Sequence, residues 1–299
     1  MAAGRACYPA RILCRVMRVS ASAYRAYASG NSYALSPRQA ALAVRVKETF
    51  YLHRRRYGAR RIAAHLKAEG HQAGRCRVRT LMRGLELQAI RPRRFVPRTT
   101  DSRHGVEPSP NLLLGDGNAP RRPRAVVVGD ITYPPLQPGG WGYPASWQDK
   151  FTKRVVGWAV AERMTEWPVI TALEKALAQG GVGRGAIIHS DQGSRYVSNN
   201  FGALLRAHGC RQSMPRRGNC YANARAESFL SRYKAELLEG GAFEDVSQAR
   251  SETFGYVEGY YSRVRRHSAL GCKTPEEFER GWEIETKGGS SERVSSGKT

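Results

Sequence analysis

Acidic residues are scarce in the first third of this sequence. Residues 1–100 contain 22 lysines and arginines but only three acids, Glu48, Glu69 and Glu86, which gives this third a net charge of +19. The remaining two-thirds contribute only +5 to the total of +24. Such an excess predicts a polyanionic partner, and nucleic acid is the first choice. A merely solvated arginine-rich surface would explain the arginines but not the missing acids.

Long apolar runs and paired cysteines are also missing. No apolar stretch approaches the roughly 20 residues of a membrane span, and no long basic helix with aromatic anchors suggests a membrane surface. The six cysteines are scattered without a CxxC pair, which argues against a zinc site and a disulfide framework. We therefore expect a cytoplasmic protein with no membrane partner. Hydrophobic residues make up 41% of the chain, enough for a substantial core.

Residues 1–90 have the pattern of a basic helical region. Ser36 and Pro37 form a typical helix start, and two shorter helices are expected in "YGARRIAAHLKAEGH" and "GRCRVRTLMRGLEL". Two short helices around a glycine turn, the second rich in arginine, are typical of a helix-turn-helix. The outward arginines expected to bind DNA are Arg75, Arg77, Arg79 and Arg83. The alternative is a small helical bundle with solvated arginines.

The rest of the chain has three compositional segments. Residues 91–122 are rich in Pro, Arg and Gly and predict an extended linker. Residues 123–282 read as three strands, helix, strand, helix, strand, helix and a further C-terminal helix, which predicts a mixed α/β domain with a five-stranded sheet. Residues 283–299 are rich in Ser, Gly and Lys and predict a disordered tail.

Three acids stand out by their positions. Asp130 lies in the first strand, Asp191 follows the fourth strand in "IIHSDQGSRYVS", and Glu227 lies near a helix start in "NCYANARAESF". A charge in apolar surroundings is costly unless it is paired or binds a cation. Converging carboxylates would raise one another's pKa unless hard ions such as Mg²⁺ or Mn²⁺ neutralised them. Taken singly, each acid also has an ordinary interpretation: an arginine-paired acid, a turn after a strand, or a solvent-facing helical glutamate.

The chain resembles the catalytic OrfB subunit of the bacterial insertion-sequence-three transposase family. The resemblance rests on five motifs in order: "VVVGDITYPP", "RVVGWAV", "IIHSDQGSRYVS", "RGNCYANARAESFLSRYKAELL" and "YYSRVRRHSALGCKTPEEFE". Upstream, "YGARRIAAHL" and "RFVPRTTDSRHG" are similar to the family's helix-turn-helix and linker. The similarity extends from about residue 8 to about residue 280. It implies an integrase-type catalytic core with an RNase H-like fold in a nucleoid-associated bacterial protein.

The resemblance also implies an activity. Asp130, Asp191 and Glu227 would form a DDE triad that binds two Mg²⁺ or Mn²⁺ ions, with the family's 35 residues between the last two. The enzyme would be a DNA transposase that cleaves the element ends to leave a 3′-hydroxyl, which then attacks another phosphodiester. The partners implied are the element ends, target DNA, further copies of the chain, and an upstream-frame OrfA protein or fusion.

Four further residues have weaker assignments. Lys234 lies seven residues beyond Glu227 on the same helical face, and we expect it to contact a DNA phosphate near the scissile bond; a solvated lysine is the alternative. Arg265 and Arg266 lie in a motif similar to the family's and are assigned to DNA or inter-subunit contacts. His189 precedes the second aspartate, and core packing is expected of it rather than catalysis.

The sequence departs from the family at three places. Ala222 stands where an Asp is usual, Pro144 and polar residues interrupt the second strand, and Val126 lies near the place of a frequent tryptophan. These departures support a second hypothesis, a catalytically impaired remnant or a DNA-binding regulator that uses only residues 1–100. A third hypothesis, a non-specific RNase H-type nuclease, leaves the basic region without a role.

Overall fold

The computed structural model describes residues 8–30, 35–92, 108–114, 120–215 and 224–295. The chain divides into two compact units, Met1–Gln88 and Ala89–Thr299. Over the described ranges, no helix is both long enough and apolar enough to cross a membrane.

The first unit is helical. Its helices are α1 (Ala10–Val16), α2 (Ala21–Ala28), α3 (Pro37–Leu52), α4 (Ala59–Ala68) and α5 (Arg75–Gly84). The expected start of α3 is confirmed as a capping box, in which the Ser36 hydroxyl accepts from the Gln39 backbone N–H and the Gln39 side chain accepts from the Ser36 N–H. Helices α3, α4 and α5 pack together through buried apolar residues, among them Val46, Ile62 and Val78.

The second unit contains the expected mixed five-stranded sheet. Its strands are β1 (Val126–Ile131), β2 (Tyr143–Asp149), β3 (Val155–Ala161), β4 (Ile187–His189) and β5 (Arg211–Ser213). The spatial order is β3-β2-β1-β4-β5. The first three strands are antiparallel, whereas β4 and β5 run parallel to β1. This is the order and direction of an RNase H-like core.

Helices pack against the sheet, and further helices follow the last strand in the chain. They are α6 (Trp167–Ala178), α7 (Asn199–Ala207), α8 (Ala224–Leu238), α9 (Val246–Phe254) and α10 (Pro275–Ser295), with a π-helical turn at Gly255–Tyr261. Buried residues from β1, β2, α6 and α7, including Val127, Trp147, Leu173 and Phe201, form the main core of the unit.

Strand β2 is continuous despite the polar and proline residues in its sequence. The Pro144 carbonyl accepts a hydrogen bond from Thr132 N–H at 3.0 Å, and Thr132 lies just past the end of β1. The backbone N–H that proline lacks would point to the same side as this carbonyl. Its absence therefore costs no hydrogen bond of the β1–β2 ladder. Further along, the Gln148 amide donates to the Tyr261 hydroxyl at 2.8 Å and to the Lys153 carbonyl at 2.9 Å. Gln148, a buried polar residue of β2, therefore has hydrogen-bond partners within the core.

Two segments bear on the boundaries expected from composition. Residues 108–114 of the expected linker lie against β5, where Leu112 N–H donates to the Ser213 hydroxyl at 3.0 Å. At the other end, α10 continues to Ser295, which differs from the disordered tail expected from residue 283. The Thr274–Glu277 capping box nucleates this helix, which then runs through Gly288 and Gly289 although each glycine costs about 1 kcal/mol relative to alanine.

Candidate active site

The parallel pairing of β1 and β4 brings two acids to the same end of the sheet. Val128 pairs with His189 in the register of these strands. Asp130, still within β1, and Asp191, just past β4, each follow two residues later, so they lie at the same level along the two strands. Glu227 lies in the first turn of α8, and α8 packs against β1. Residues 97 positions apart in sequence are thus gathered at one edge by strand pairing and helix packing.

The three carboxyl groups act on one another electrostatically. The pKa of Asp130 is raised from 3.8 to about 8, first by burial and next by the charge of Asp191, with Glu227 adding a smaller contribution. A hydrogen bond from Ile131 N–H to the Asp130 carboxylate, at 2.8 Å, and the charge of Arg195 act in the opposite direction. Desolvation and then Asp191 raise the pKa of Glu227. Such mutual repulsion is what a bound cation would relieve.

The loop after β4 is shaped around Asp191. The Asp191 carboxylate accepts a hydrogen bond from Gly193 N–H at 3.0 Å. A β-carbon at Gly193 would lie 3.1 Å from the same carboxylate oxygen, so a larger residue would crowd the acid. The glycine therefore lets the backbone fold back over the carboxylate.

The donor chemistry of this edge fits a hard divalent cation, since all three side chains offer carboxylate oxygens. Within the part of the chain that the structure describes, however, no group of three His, Cys, Asp or Glu side chains is arranged to hold a metal ion. The three carboxylates are near enough to shift one another's pKa but do not form a coordination sphere. Coordination would require them to approach one another.

Two cationic side chains accompany the acids. Lys234 is half-buried on α8, and burial lowers its pKa while the charge of Asp130 acts to raise it. Arg195, which the sequence analysis did not single out, donates to the Tyr133 hydroxyl at 3.0 Å and acts electrostatically on Asp130. Its position in "IIHSDQGSRYVS", four residues after Asp191, was the available signal. The site therefore presents positive as well as negative groups.

Arg265 does not make the DNA or inter-subunit contact expected of it, because it is buried inside the second unit. Its side chain is fully buried and forms a bidentate ion pair with Glu236, whose carboxylate also accepts from the Tyr256 hydroxyl at 2.8 Å. A buried carboxylate requires such a partner, so Arg265 serves the interior of the fold rather than a DNA surface. The neighbouring Arg266 is largely covered and donates to the Cys272 carbonyl at 3.1 Å.

His189 lies in the core, as expected. It is completely buried, and its Nδ1 lies 2.9 Å from the Ser213 hydroxyl. Burial, with a smaller contribution from Lys150, lowers the pKa of His189 to about 4, so the ring is neutral at physiological pH. It is a packing residue of the β4–β5 pair.

The arginines of α5 lie apart from this site, in the first unit. Val78, Leu81 and Met82 form the buried face of α5. The exposed side chains include all four predicted DNA-binding arginines, Arg75, Arg77, Arg79 and Arg83. A turn with Gly70 at φ +83° separates α4 from α5, which is the connection expected of a helix-turn-helix.

Comparison with known proteins identifies both parts of the chain. An integrase core domain model matches residues 120–220, and a second model of that description matches residues 208–275. An HTH-like domain model matches residues 37–95. These matches agree with the α/β sheet of the second unit and with the helices of the first.

Relatives match along most of their length. The insertion element IS600 uncharacterized 31 kDa protein of Shigella sonnei is 36% identical, covering 89% of this chain and 97% of that protein. Transposase InsF for insertion sequence IS3A of Escherichia coli (strain K12) is 34% identical, covering 90% and 93%. The transposase for insertion sequence element IS904 of Lactococcus lactis subsp. lactis (strain IL1403) is 36% identical, covering 80% and 93%.

Among solved structures, the simian T-cell lymphotropic virus intasome contains a chain that is 16% identical, with a TM-score of 0.42 and coverage of 78% of this chain and 73% of that one. The family assignment rests on the sequence relatives, whose identity exceeds 30% over nearly their full length. This chain belongs to the insertion-sequence-three (IS3) transposase family.

Proposed function

We propose that this protein moves an insertion sequence by metal-dependent phosphoryl transfer. It cleaves DNA at the ends of the element and joins the freed 3′-hydroxyl to another phosphodiester. Family membership supports the reaction class. In this chain the proposal rests on the convergence of Asp130, Asp191 and Glu227 at one end of the sheet, within electrostatic reach of one another.

The same three residues would hold two Mg²⁺ or Mn²⁺ ions. Bound divalent cations activate an oxygen nucleophile at neutral pH and stabilise the charge that develops on the leaving oxygen. Because the pKa of Asp130 is raised to about 8, a cation held by this carboxyl would displace a proton from it.

The reaction requires two in-line displacements at phosphorus. In the first, a water oxygen bonds to phosphorus, the bond from phosphorus to the 3′-oxygen breaks, and that oxygen takes a proton. In the second, the resulting 3′-hydroxyl loses its proton, bonds to another phosphorus and displaces a 3′-oxygen there, which takes up a proton, so one phosphodiester replaces another. No covalent bond forms between a protein side chain and DNA, and catalysis depends on positioning and charge neutralisation.

The cations beside the acids position the substrate. Lys234, on the same face of α8 as Glu227, binds a DNA phosphate near the scissile bond. Arg195 is oriented by its hydrogen bond to Tyr133 and adds a second positive charge beside Asp130. Both groups favour approach of a phosphodiester to an edge that three carboxylates would otherwise make repulsive.

Recognition of the element ends belongs to the first unit in this proposal. The exposed arginines of α5 contact the DNA, with phosphates positioning the helix in the major groove. Two ends must be brought together for transposition, so the proposal includes a homo-oligomer. An upstream-frame OrfA partner stays a prediction.

The decisive experiment compares wild type with Glu227→Gln on a labelled duplex that carries the element ends, with and without Mg²⁺. We expect Glu227→Gln to lower cleavage and joining at least about 100-fold while DNA binding is retained. Glu174→Gln, at an exposed position of α6, removes the same charge and should leave both reactions unchanged.

Two outcomes would contradict the proposal. Undiminished cleavage by Glu227→Gln would remove Glu227 from the site. If neither protein cleaves while both bind DNA, the chain is a DNA-binding regulator or an impaired remnant. Ala222, one of the three sequence departures behind that second function, lies outside the described residues.

A further inference from the structure

A cleft lined by arginines lies at the opposite end of the sheet from the acids. Its volume is about 380 Å³. Four arginines line it: Arg121, Arg122, Arg184 and Arg211. Two of them precede β1, one precedes β4 and one begins β5, so all four lie where the parallel strands start. Asp130 lies four residues after Val126, the first residue of β1. Since a strand rises ~3.3 Å per residue, Asp130 is roughly 13 Å from the start of the strand.

The positive charges of this cleft are not neutralised within the fold. All four arginines are exposed, and among the described residues none of them forms an ion pair. Their one recorded side-chain hydrogen bond is from Arg211 to the Gly185 carbonyl at 3.4 Å. The acids nearby are engaged elsewhere, since Glu279 pairs with Arg124 and Arg154 at 3.0 and 2.9 Å.

The cleft continues into a second cavity. This neighbour, of about 530 Å³, shares Arg122 and Arg184 with the first and is bounded by Trp282 and Glu283. A groove with guanidinium groups along it suits an extended polyanion better than a single small anion, because successive phosphates can contact successive arginines. Backbone donors contribute little, since the N–H groups of Gly183, Ala186 and Ile187 already bond to carbonyls.

We propose that this arginine cleft binds the phosphodiester backbone of duplex DNA. It is a second contact surface of the catalytic unit, distinct from the carboxylate edge and from the arginines of α5. The inference rests on the proposed function for the identity of the polyanion. The same chemistry would suit either an element end or target DNA.

The test measures how DNA affinity depends on salt concentration in the full chain, without divalent metal. Each lost phosphate contact lowers the slope of log K against log salt by about 0.9. We therefore expect the double variant Arg184→Ala/Arg211→Ala to lower the slope by about 1.8. The variant Arg184→Lys/Arg211→Lys keeps both charges and should retain most of the slope.

A matched control removes two charges from the other edge of the sheet. Arg163 follows β3, and Arg250 contacts the Val160 carbonyl at 3.5 Å; both are exposed. Arg163→Ala/Arg250→Ala should change the slope by less than half as much. An equal fall in both double variants, or no fall in either, would overturn the proposal, because the effect would then follow net charge alone or be absent.

Two duplexes identify the source of the DNA. A fall confined to a duplex with the element ends assigns the cleft to those ends, whereas a fall on an unrelated duplex as well assigns it to DNA in general, target included. Because binding is measured without cleavage, a wild type that binds but never cleaves would contradict the proposed function and leave this inference standing. Unchanged thermal unfolding of the exposed-site variants confirms that the fold is intact.

Discussion

At the scale of single residues, the charge of a side chain depends on what surrounds it. Asp130 follows three valines and Gly129 in β1, and burial together with Asp191 raises its pKa to about 8. Arg265 is also surrounded by protein, but the carboxylate of Glu236 keeps it charged. The sequence identifies both residues as ionisable groups near apolar ones, whereas the partner of each comes from another part of the chain.

The raised pKa of Asp130 predicts a pH-dependent stability of the metal-free protein. The carboxyl ionises near pH 3.8 when unfolded and near pH 8 when folded, so unfolding releases a proton between these values. Its contribution to stability is therefore complete at low pH and is lost as pH rises towards about 8. We expect the free energy of unfolding of Asp130→Asn to exceed that of wild type by a few kcal/mol as the pH rises from about 5 to about 8. Urea unfolding in the presence of a chelator measures both proteins. A pH-independent difference would contradict this assignment.

The buried pair of Arg265 and Glu236 predicts a large effect on folding. Arg265→Met leaves the Glu236 carboxylate without its charged partner inside the protein, and we expect a loss of about 3–5 kcal/mol in the free energy of unfolding. Arg266→Met, at the neighbouring position, should cost less than about 1 kcal/mol. Chemical denaturation of the two variants measures both losses in the free energy of unfolding. Equal stabilities would mean that Arg265 is available for the DNA contact first expected of it.

At the scale of elements, local patterns predicted where helices and strands occur, and packing decided which face each one buries. In α3, Val44 is 57% exposed, whereas Ala43 and Val46 are buried. Both faces of α3 carry apolar residues, so periodicity alone could not choose between them. Contact with α4 and α5 made the choice.

Close approach of β1 and β2 predicts a strict requirement for glycine at position 129. Gly129 faces Trp147 in the register, and a β-carbon there would lie 2.3 Å from the indole ring, which is itself buried and hydrogen-bonded to the Val169 carbonyl. We expect Gly129→Ala to lower the free energy of unfolding by about 1–3 kcal/mol or more. Gly139→Ala, where a β-carbon meets nothing within 4 Å, is the control. Similar unfolding midpoints for the two variants would refute the packing argument.

At the scale of the whole molecule, charge and chemistry are divided between the two units. The basic first third contains the helix-turn-helix helices, whereas the three acids of the candidate active site lie in the second unit. Under the proposed function, a polyanion is therefore attracted and oriented by one unit while the reaction takes place in the other. The near absence of acids from residues 1–100 is consistent with this division of labour.

This division predicts which arginines matter for DNA binding. Arg77→Ala/Arg79→Ala removes two exposed charges from α5, and we expect the slope of log K against log salt to fall by about 1.8. Arg45→Ala/Lys47→Ala removes two exposed charges from α3 and serves as the control. Titration of a duplex with the element ends over a range of salt measures both. An equal effect would favour a solvated helical bundle over a DNA-binding helix-turn-helix.

The sequence by itself determined the secondary-structure elements, their order along the chain and the three acids that are candidates for catalysis. Hydrophobic periodicity, capping residues and ordered motifs are local properties of the sequence. They were therefore enough to predict the five strands, the helices between them and the family. Only the tertiary structure decided that Arg265 is buried, that Gln148 of β2 has hydrogen-bond partners, and that Arg195 lies within electrostatic reach of Asp130. It also gathered four arginines from three separate segments into one cleft. These features depend on which distant residues meet, and that depends on the packing of the whole fold rather than on any local pattern.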